Sequence, residues 1–194
     1  MKSVLISIRP KWCELIASGK KTIEVRKTKP KIETPFKCYI YCTTSELLTR
    51  SHYNDKIYVA TSKKYQKPLE RNGNITLSSK VIGEFVCDAI IGHCEMANAD
   101  IAEQQGCIKR EQLFEYANGK ELFGWHISDL VIYDKPKELR EFLKPCIDPQ
   151  RYCEVCTHRH VIFYSNIYDE DYEIECLNRV MKPPQSWCYI EEGQ

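Results

Sequence analysis

The sequence of 194 residues predicts a small α+β domain, in which a mixed β-barrel carries short helices and a cysteine-rich segment lies near the C terminus. Three observations lead to this fold class. Apolar and polar residues alternate over several short stretches, which is typical of half-buried strands. Short segments with helical spacing separate these strands, which must then pair non-locally. Four cysteines and two histidines crowd the polar residues 144–181.

The first thirty residues predict a strand, a short helix and a second strand. Residues 4–10 alternate and end in Pro10, a residue suited to a first helical turn. Trp12, Leu15 and Ile16 then recur at helical spacing and indicate one packed face. Gly19 is suited to the left-handed conformation that ends a helix. A strand over "KTIEVRK" follows.

The rest of the chain predicts further strands and two helical segments. Residues 45–80 are polar and rich in turns, and we expect at most one short strand there, at 56–61. Strands are also predicted at 35–44 and at 80–95, the second with a bulge at Gly83. Residues 122–136 predict either a pair of strands or one bent strand. Helical segments are predicted at 109–117 and 135–143.

Composition limits the classes of function. The hydrophobic fraction of 43% is that of a globular protein, and the formal net charge of +1 is too small for a protein that coats nucleic acid through its overall field. Nucleic-acid binding would therefore need a local site.

The start "MKSVLISIRP" lacks the apolar core of a signal peptide, and no stretch approaches the roughly 20 apolar residues of a membrane-spanning helix. We expect a cytoplasmic protein without a membrane partner.

Charged residues alternate with apolar ones directly after Gly19. In a strand, Ile23 and Val25 would face one way, and Glu24 and Arg26 the other, about 6–7 Å apart. A carboxylate accepts hydrogen bonds from a base edge, a guanidinium forks onto carbonyl or phosphate oxygens, and the Lys21 ammonium adds a point charge. Taken alone, the pattern favours ion pairs on a solvated strand face. The alternative is the floor of a ligand site.

Eleven cysteines are many for such a protein and, being odd in number, are poorly explained by a disulfide framework. Cys38, Cys42 and Cys87 lie in apolar runs and are predicted to be buried as small hydrophobic side chains. Four other cysteines predict a structural zinc site in which thiolates surround a C-x-x-C pair: Cys146, Cys153, Cys156 and Cys176. His158 or His160 would substitute for a cysteine that is not used. Free thiols and a disulfide or redox pair remain as alternatives.

The opening segment "SIRPKWCELIASGKKTIEVRK" resembles that of ASCH domains, which belong to the PUA-like superfamily. The family motif G-x-K-x-x-E-x-R is matched by Gly19, Lys21, Glu24 and Arg26. "VIGEFVC" and "GWHISDLVIYDKP" resemble later strands of the family, and "KPPQSWCYI" resembles the closing segment of prophage-type members. The resemblance implies a barrel over 1–143 with a closing segment at 182–194. Residues 144–181 then form a cysteine-rich insertion between them, which contains the four candidate zinc ligands.

The resemblance also implies a function and a site. It implies recognition of RNA or a nucleotide-like ligand in a cleft beside the first helix. For Lys21, Glu24 and Arg26, it favours a ligand site over ion pairs on a solvated strand face. Further candidates for the cleft are Arg9, Gln185, Ser186 and Trp187. Trp187 would either stack a base or pack in the core, while Gln185 and Ser186 would either bind the ligand or cap a turn.

Two other functions stay open. Some small family members look like amidohydrolases of acylated cytidine that use a lysine, a threonine and a glutamate. Lys21 matches that lysine, whereas Glu24 stands at the threonine position. A nucleoside amidohydrolase or small ribonuclease would use Lys21 to polarise its substrate and Glu24 as acid and base. An adaptor that uses the cysteine-rich segment is the third class. The sequence predicts no oligomeric state.

Overall fold

The computed structural model describes residues 2–60, 72–145 and 178–191. These residues form eleven strands, three α-helices and one 3₁₀ turn at Leu139–Glu141. The α-helices are α1 (Pro10–Ala17), α2 (Ala99–Gly106) and α3 (Arg110–Ala117). The strands are β1 (Lys2–Ile8), β2 (Ile23–Arg26), β3 (Phe36–Cys42), β4 (Leu47–Arg50), β5 (Ile57–Ala60), β6 (Ile75–Thr76), β7 (Val81–Cys87), β8 (Ile90–Ile91), β9 (Phe123–His126), β10 (Ser128–Lys137) and β11 (Trp187–Glu191).

The strands form three sheets, and the fold is mixed α+β. The largest sheet has the order β10-β7-β3-β1-β11, in which β1 and β3 are parallel and the other neighbours antiparallel. Two three-stranded sheets have the orders β2-β9-β8 and β5-β4-β6. No ladder of hydrogen bonds joins the three sheets among the described residues. The prediction of a mixed α+β fold is therefore confirmed, but the predicted barrel is not closed, and the strands form an open set of packed sheets.

Strand β1 is buried on both faces, because each face packs on a different apolar cluster. Val4, Ile6 and Ile8 belong to the main core, which also contains the fully buried Trp125. Leu5 points the other way into a smaller cluster with β3, β7 and β11. A third cluster packs β2 on α2 and α3. Since β1 lies between two clusters, its C-terminal end is a rigid support for the residues that follow.

Several local predictions are confirmed. Gly19 ends α1 with φ of +71°, and α3 occupies the helix predicted at 109–117. Cys38, Cys42 and Cys87 are buried, as expected for apolar runs. The register between β3 and β7 shifts beside Gly83, where a β-carbon would lie 2.4 Å from the Val131 carbonyl oxygen of β10. Glycine is therefore required there by the close approach of the neighbouring strand.

Other elements differ from the prediction. Helix α2 was not predicted, although Ala, Glu and Gln in "ADIAEQQG" are good helix formers. Within the described parts of the region 45–80, residues 45–60 and 72–80, there are three strands, β4, β5 and β6, instead of the one that was expected. No helix among the described residues is long and apolar enough to cross a membrane.

Candidate ligand-binding cleft

A tight turn places Lys21 at the start of the site. The backbone N–H groups of Lys20 and Lys21 both donate to the Leu15 carbonyl at 3.0 Å, so the chain reverses sharply after α1. The Lys21 ammonium then donates to the Gly106 carbonyl at the end of α2, at 2.7 Å, and lies 5.0 Å from the centroid of the Trp12 ring. Two helices and one aromatic ring thus hold the lysine in place.

Strand β2 separates apolar from charged side chains as predicted. Ile23 and Val25 pack on α2 and α3 in the third cluster, whereas Glu24 and Arg26 project from the strand toward the opposite side. That side is not a solvated face, however. Lys21, Glu24 and Arg26 are exposed by 4%, 5% and 9%, so the expectation of a solvent-facing pattern is wrong.

The three charged groups form one network. Glu24 Oε2 lies 3.4 Å from Lys21 Nζ, and Glu24 Oε1 lies 2.9 Å from Arg26 Nη2. Arg26 Nη2 also donates to the Ser7 carbonyl at 2.6 Å, and Nη1 donates to Ser186 Oγ at 3.4 Å. We call Lys21, Glu24 and Arg26 the charged triad. Removing three charges from water is costly, so the triad is an expensive feature for stability alone.

The triad lies at the wall of a cleft with a volume of about 810 Å³. Helix α1 contributes one side, α3 a second, and residues 183–185 a third. Six charged side chains line the cleft, and four of them are cationic and two acidic. Because positive charge is in excess, the cleft favours an anionic ligand. The six residues are Arg9, Lys21, Arg26, Lys27, Glu24 and Glu115.

The segment before β11 is fixed to β1 by Ser7. The Ser7 hydroxyl donates to the Pro184 carbonyl at 2.7 Å, and the Ser7 N–H donates to the Ser186 carbonyl at 2.9 Å. This clamp places Gln185 in the lining of the cleft. Ser186 does not line the cleft but contacts it indirectly through Arg26.

Trp187 lies outside the cleft lining. Its indole Nε1 donates to Thr28 Oγ1 at 2.9 Å, and its ring meets Trp125 edge-on at a centroid distance of 5.9 Å. This position corresponds to the core-packing alternative for Trp187. Of the residues that the sequence nominated, the structure therefore brings together Arg9, Lys21, Glu24, Arg26 and Gln185.

Three aromatic residues of the cleft, Trp12, Tyr41 and Tyr116, were missed by the sequence reasoning. Trp12 lines the cleft from α1, although its helical spacing indicated a core position, and Tyr116 lines it from α3. Burial raises the pKa of Tyr116, the Arg26 charge opposes this, and the Glu24 carboxylate adds to it. The hydroxyl therefore stays neutral and can donate at neutral pH. The helical pattern holds no signal that separates Trp12 from a core position, and only the structure shows that the ammonium groups of Lys11 and Lys21 each lie 5.0 Å from the centroid of its ring.

Two polar atoms in this wall have unused hydrogen-bonding capacity. Arg26 Nε and Thr43 Oγ1 are buried and have no hydrogen-bond partner within 2–60, 72–145 or 178–191. Both residues line the cleft. A buried donor without a partner costs about 1–3 kcal/mol, so a ligand that supplied an acceptor would recover that free energy.

The predicted metal ligands cannot be placed in this fold. Cys146, Cys153, Cys156 and Cys176, like the alternatives His158 and His160, lie outside the described residues. Within the described part of the chain, no three histidine, cysteine or acidic side chains are grouped so that they could hold a metal ion.

Comparison with known proteins defines the class. Residues 6–178 match the model of the ASCH domain, so the chain belongs to the ASCH domain family and has its PUA-like fold. Among solved structures, it is similar to ASCH from Zymomonas mobilis, with 17% identity, a TM-score of 0.55 and coverage of 98% of this chain and 88% of that one. A serine-to-alanine mutant of the same Zymomonas mobilis protein matches with 16% identity, a TM-score of 0.55 and coverage of 98% and 89%.

These likenesses establish the fold and the family. No curated protein matches the sequence. The comparisons lend no support to a prophage origin, and they do not bear on the roles of individual residues in the cleft.

Proposed function

We propose that this protein binds RNA or a nucleotide-like ligand in the cleft beside α1. The observation that carries the proposal is the charged triad, whose members are nearly inaccessible to solvent yet line a large cleft. A buried ion network is weak evidence for stability, because apolar residues of similar volume often serve a fold equally well. Its retention in a cleft wall is explained by a ligand that uses these charges.

The lining suits the parts of a nucleotide. The excess of cationic side chains favours a phosphate, and the unused Arg26 Nε–H is a donor for an oxygen acceptor. Gln185 and the Glu24 carboxylate offer acceptors, and Gln185 also a donor, for the edge of a base. Trp12 and Tyr116 supply aromatic faces on which a base can stack.

A pair of tryptophan variants tests the proposal. Trp12→Leu should weaken the binding of nucleoside monophosphates and short RNAs by about 1–3 kcal/mol, the usual contribution of one stacked base. Trp187→Leu, made at the tryptophan that packs on Trp125, should lower stability but leave the affinity of the folded protein for nucleoside monophosphates unchanged. Binding would be measured by calorimetry well below the melting temperature. If neither class of ligand binds the wild-type protein, the proposal fails.

An enzymatic function is the second candidate. The Lys21 ammonium and the Glu24 carboxylate lie 3.4 Å apart at the cleft, which meets the geometric requirement for polarisation by lysine and proton transfer by glutamate. The substrate would be an acylated nucleoside or an RNA phosphodiester. Against this, Lys21 already donates to the Gly106 carbonyl and Glu24 is shared with Arg26, so both groups have positions fixed by other partners.

We also propose that Cys146, Cys153, Cys156 and Cys176 bind one structural zinc ion as thiolates. The support is their spacing in the sequence. A two-residue spacer between Cys153 and Cys156 lets both sulfurs face one metal at about 2.3 Å. Zinc held by four thiolates in this segment would contribute directly to its folding free energy.

A further inference from the structure

A basic loop leaves the cleft directly after β2. A lysine occupies every second position, at Lys27, Lys29 and Lys31, and the next acidic residue is Glu33. Lys27 lines the cleft, while Lys29 and Lys31 are exposed. We call residues 27–31 the basic strip. It is locally cationic, although the formal net charge of the chain is only +1.

The strip is held in place by β11 and by the core. The Trp187 indole donates to Thr28 Oγ1 at 2.9 Å, and the Lys31 N–H donates to the Tyr189 hydroxyl at 2.7 Å. Pro30, between these two anchors, is buried. A loop fixed at both ends and in the middle presents its lysines in one arrangement, so little backbone entropy would be lost on binding.

Two of the lysines lie over aromatic rings. Lys27 Nζ is 4.9 Å from the centroid of the Tyr116 ring, and Lys29 Nζ is 5.1 Å from that of Phe123. Tyr116 belongs to the cleft and Phe123 to β9, the neighbour of β2. Cations and aromatic side chains thus alternate along a path that begins inside the cleft. Grooves for single-stranded nucleic acid combine these same two elements.

We infer that the ligand is a single-stranded RNA whose backbone continues from the cleft along the basic strip. The inference rests on the proposed function, since the cleft must hold the first nucleotide. Four residues of extended chain span at most about 14 Å, so Lys27 to Lys31 can follow about four phosphates at a stacked spacing of roughly 3.4 Å. An RNA of about six nucleotides covers cleft and strip, whereas a mononucleotide reaches the cleft alone.

The test measures how the affinity for RNA depends on the length of the ligand and on the charge of the basic strip. Binding of uridine oligonucleotides of one to ten residues is measured by fluorescence anisotropy and, for the mononucleotide, by calorimetry. The affinity of the wild-type protein should rise with length and level off near six nucleotides. The double variant Lys29→Gln/Lys31→Gln should bind the mononucleotide within about twofold of wild type but lose the gain with length. Its plot of log affinity against log salt should be shallower by about 1.4, because each phosphate contact to a single strand contributes about 0.7.

A matched control removes the same charge elsewhere. Lys56→Gln/Lys135→Gln changes two exposed lysines that do not line the cleft, and it should leave both length dependence and salt slope unchanged. If the mononucleotide binds but affinity does not depend on length, the inference is overturned and the proposed function stands. If oligonucleotides bind through the strip but Trp12→Leu has no effect, the continuity of cleft and strip is refuted. If nothing binds, the proposed function itself has failed.

Discussion

Arg26 is the residue at which the sequence pattern and the structure diverge most. The alternation in "IEVR" correctly predicts that Arg26 shares a face with Glu24, but that face is enclosed by the ends of β1 and α1 and by the segment before β11. The sequence could not reveal this, because these parts approach β2 from positions far away in the chain. If Arg26 lay on the surface, as the alternation suggests, its substitution would change the free energy of unfolding by about 0.5 kcal/mol or less. Because the side chain is buried, a larger loss is expected.

Removing Arg26 should therefore be costly. We expect Arg26→Ala to lower the free energy of unfolding by about 3 kcal/mol, because the variant breaks a buried pair and leaves Glu24 with Lys21 alone. A variant without the triad's charges, Lys21→Met/Glu24→Gln/Arg26→Met, should regain most of that loss, since no charge is then left unpaired. Both would be compared by urea denaturation at one pH.

The same variants separate stability from function. The uncharged triad should fold but should not bind nucleotides, which calorimetry with the ligands of the wild-type protein would reveal. An uncharged variant that still binds ligand with wild-type affinity would contradict the role of the triad. One that is no more stable than Arg26→Ala would contradict the account of its energetics.

At the scale of elements, the largest sheet is joined by a polar cross-strand contact. The Tyr133 hydroxyl of β10 donates to Glu84 of β7, and Lys37 of β3 lies 3.2 Å from the same carboxylate. Partial burial tends to raise the pKa of Glu84, but the hydrogen bonds from Tyr133 and Lys37 outweigh it and hold the pKa below its ordinary value. Burial and the adjacent carboxylate raise the pKa of Tyr133.

This contact predicts a pH-dependent contribution to stability. A carboxylate whose pKa is lowered in the folded state stabilises the fold above its unfolded pKa, about 4.3, and loses that contribution as pH falls through the folded value. We expect Tyr133→Phe to cost about 1 kcal/mol at pH 7 and clearly less near pH 3, measured by urea denaturation. Tyr189→Phe is the control, because its hydroxyl accepts from the Lys31 N–H and its cost should not change with pH. Equal losses for Tyr133→Phe at both pH values would show that Glu84 ionisation plays no part.

Elements were predictable where local chemistry determines them. Gly19 at φ of +71° and the apolar run of β3 are set by residues close in sequence. Helix α2 escaped prediction because its apolar face is short, and yet its last carbonyl holds Lys21. Trp12 was assigned to the core on its spacing alone, since nothing in a helical pattern tells a core wall from a cleft wall. The open arrangement of three sheets depends on strand pairing that periodicity cannot specify.

The proposed zinc site in the cysteine-rich segment can be tested by metal content and by protease sensitivity. If Cys146, Cys153, Cys156 and Cys176 bind zinc, protein prepared under reducing conditions should contain about one zinc per chain by elemental analysis. A chelator, or Cys156→Ser, should make residues near 144–180 sensitive to protease while the main melting transition shifts little, because the described sheets have their own apolar clusters. Metal-free protein with those cysteines reduced and the segment equally resistant to protease would refute the site.

At the scale of the whole molecule, the two candidate functions make different demands on one cleft. A binding protein needs an open groove with cationic sides and an aromatic face, which the lining provides. An enzyme needs, in addition, that a reacting atom approach both Lys21 and Glu24 while these keep their own contacts. Lys21 lies under Trp12 and against α2, so a substrate must reach the ammonium past the aromatic ring.

Turnover is therefore the decisive measurement. If the protein is an amidohydrolase, water adds to the acyl carbon of N4-acylated cytidine, the carbon–nitrogen bond breaks, and cytidine and a carboxylic acid are released. Lys21→Met should then abolish release, since the cation that polarises the carbonyl is gone, while Lys27→Met, at a lining lysine with no partner in the triad, should retain most of the activity. Product formation would be followed by chromatography on a panel of acylated nucleosides and short RNAs. An inactive wild-type protein that nevertheless binds these compounds would eliminate the enzymatic alternative, and equal activity in both lysine variants would exclude Lys21 from the chemistry.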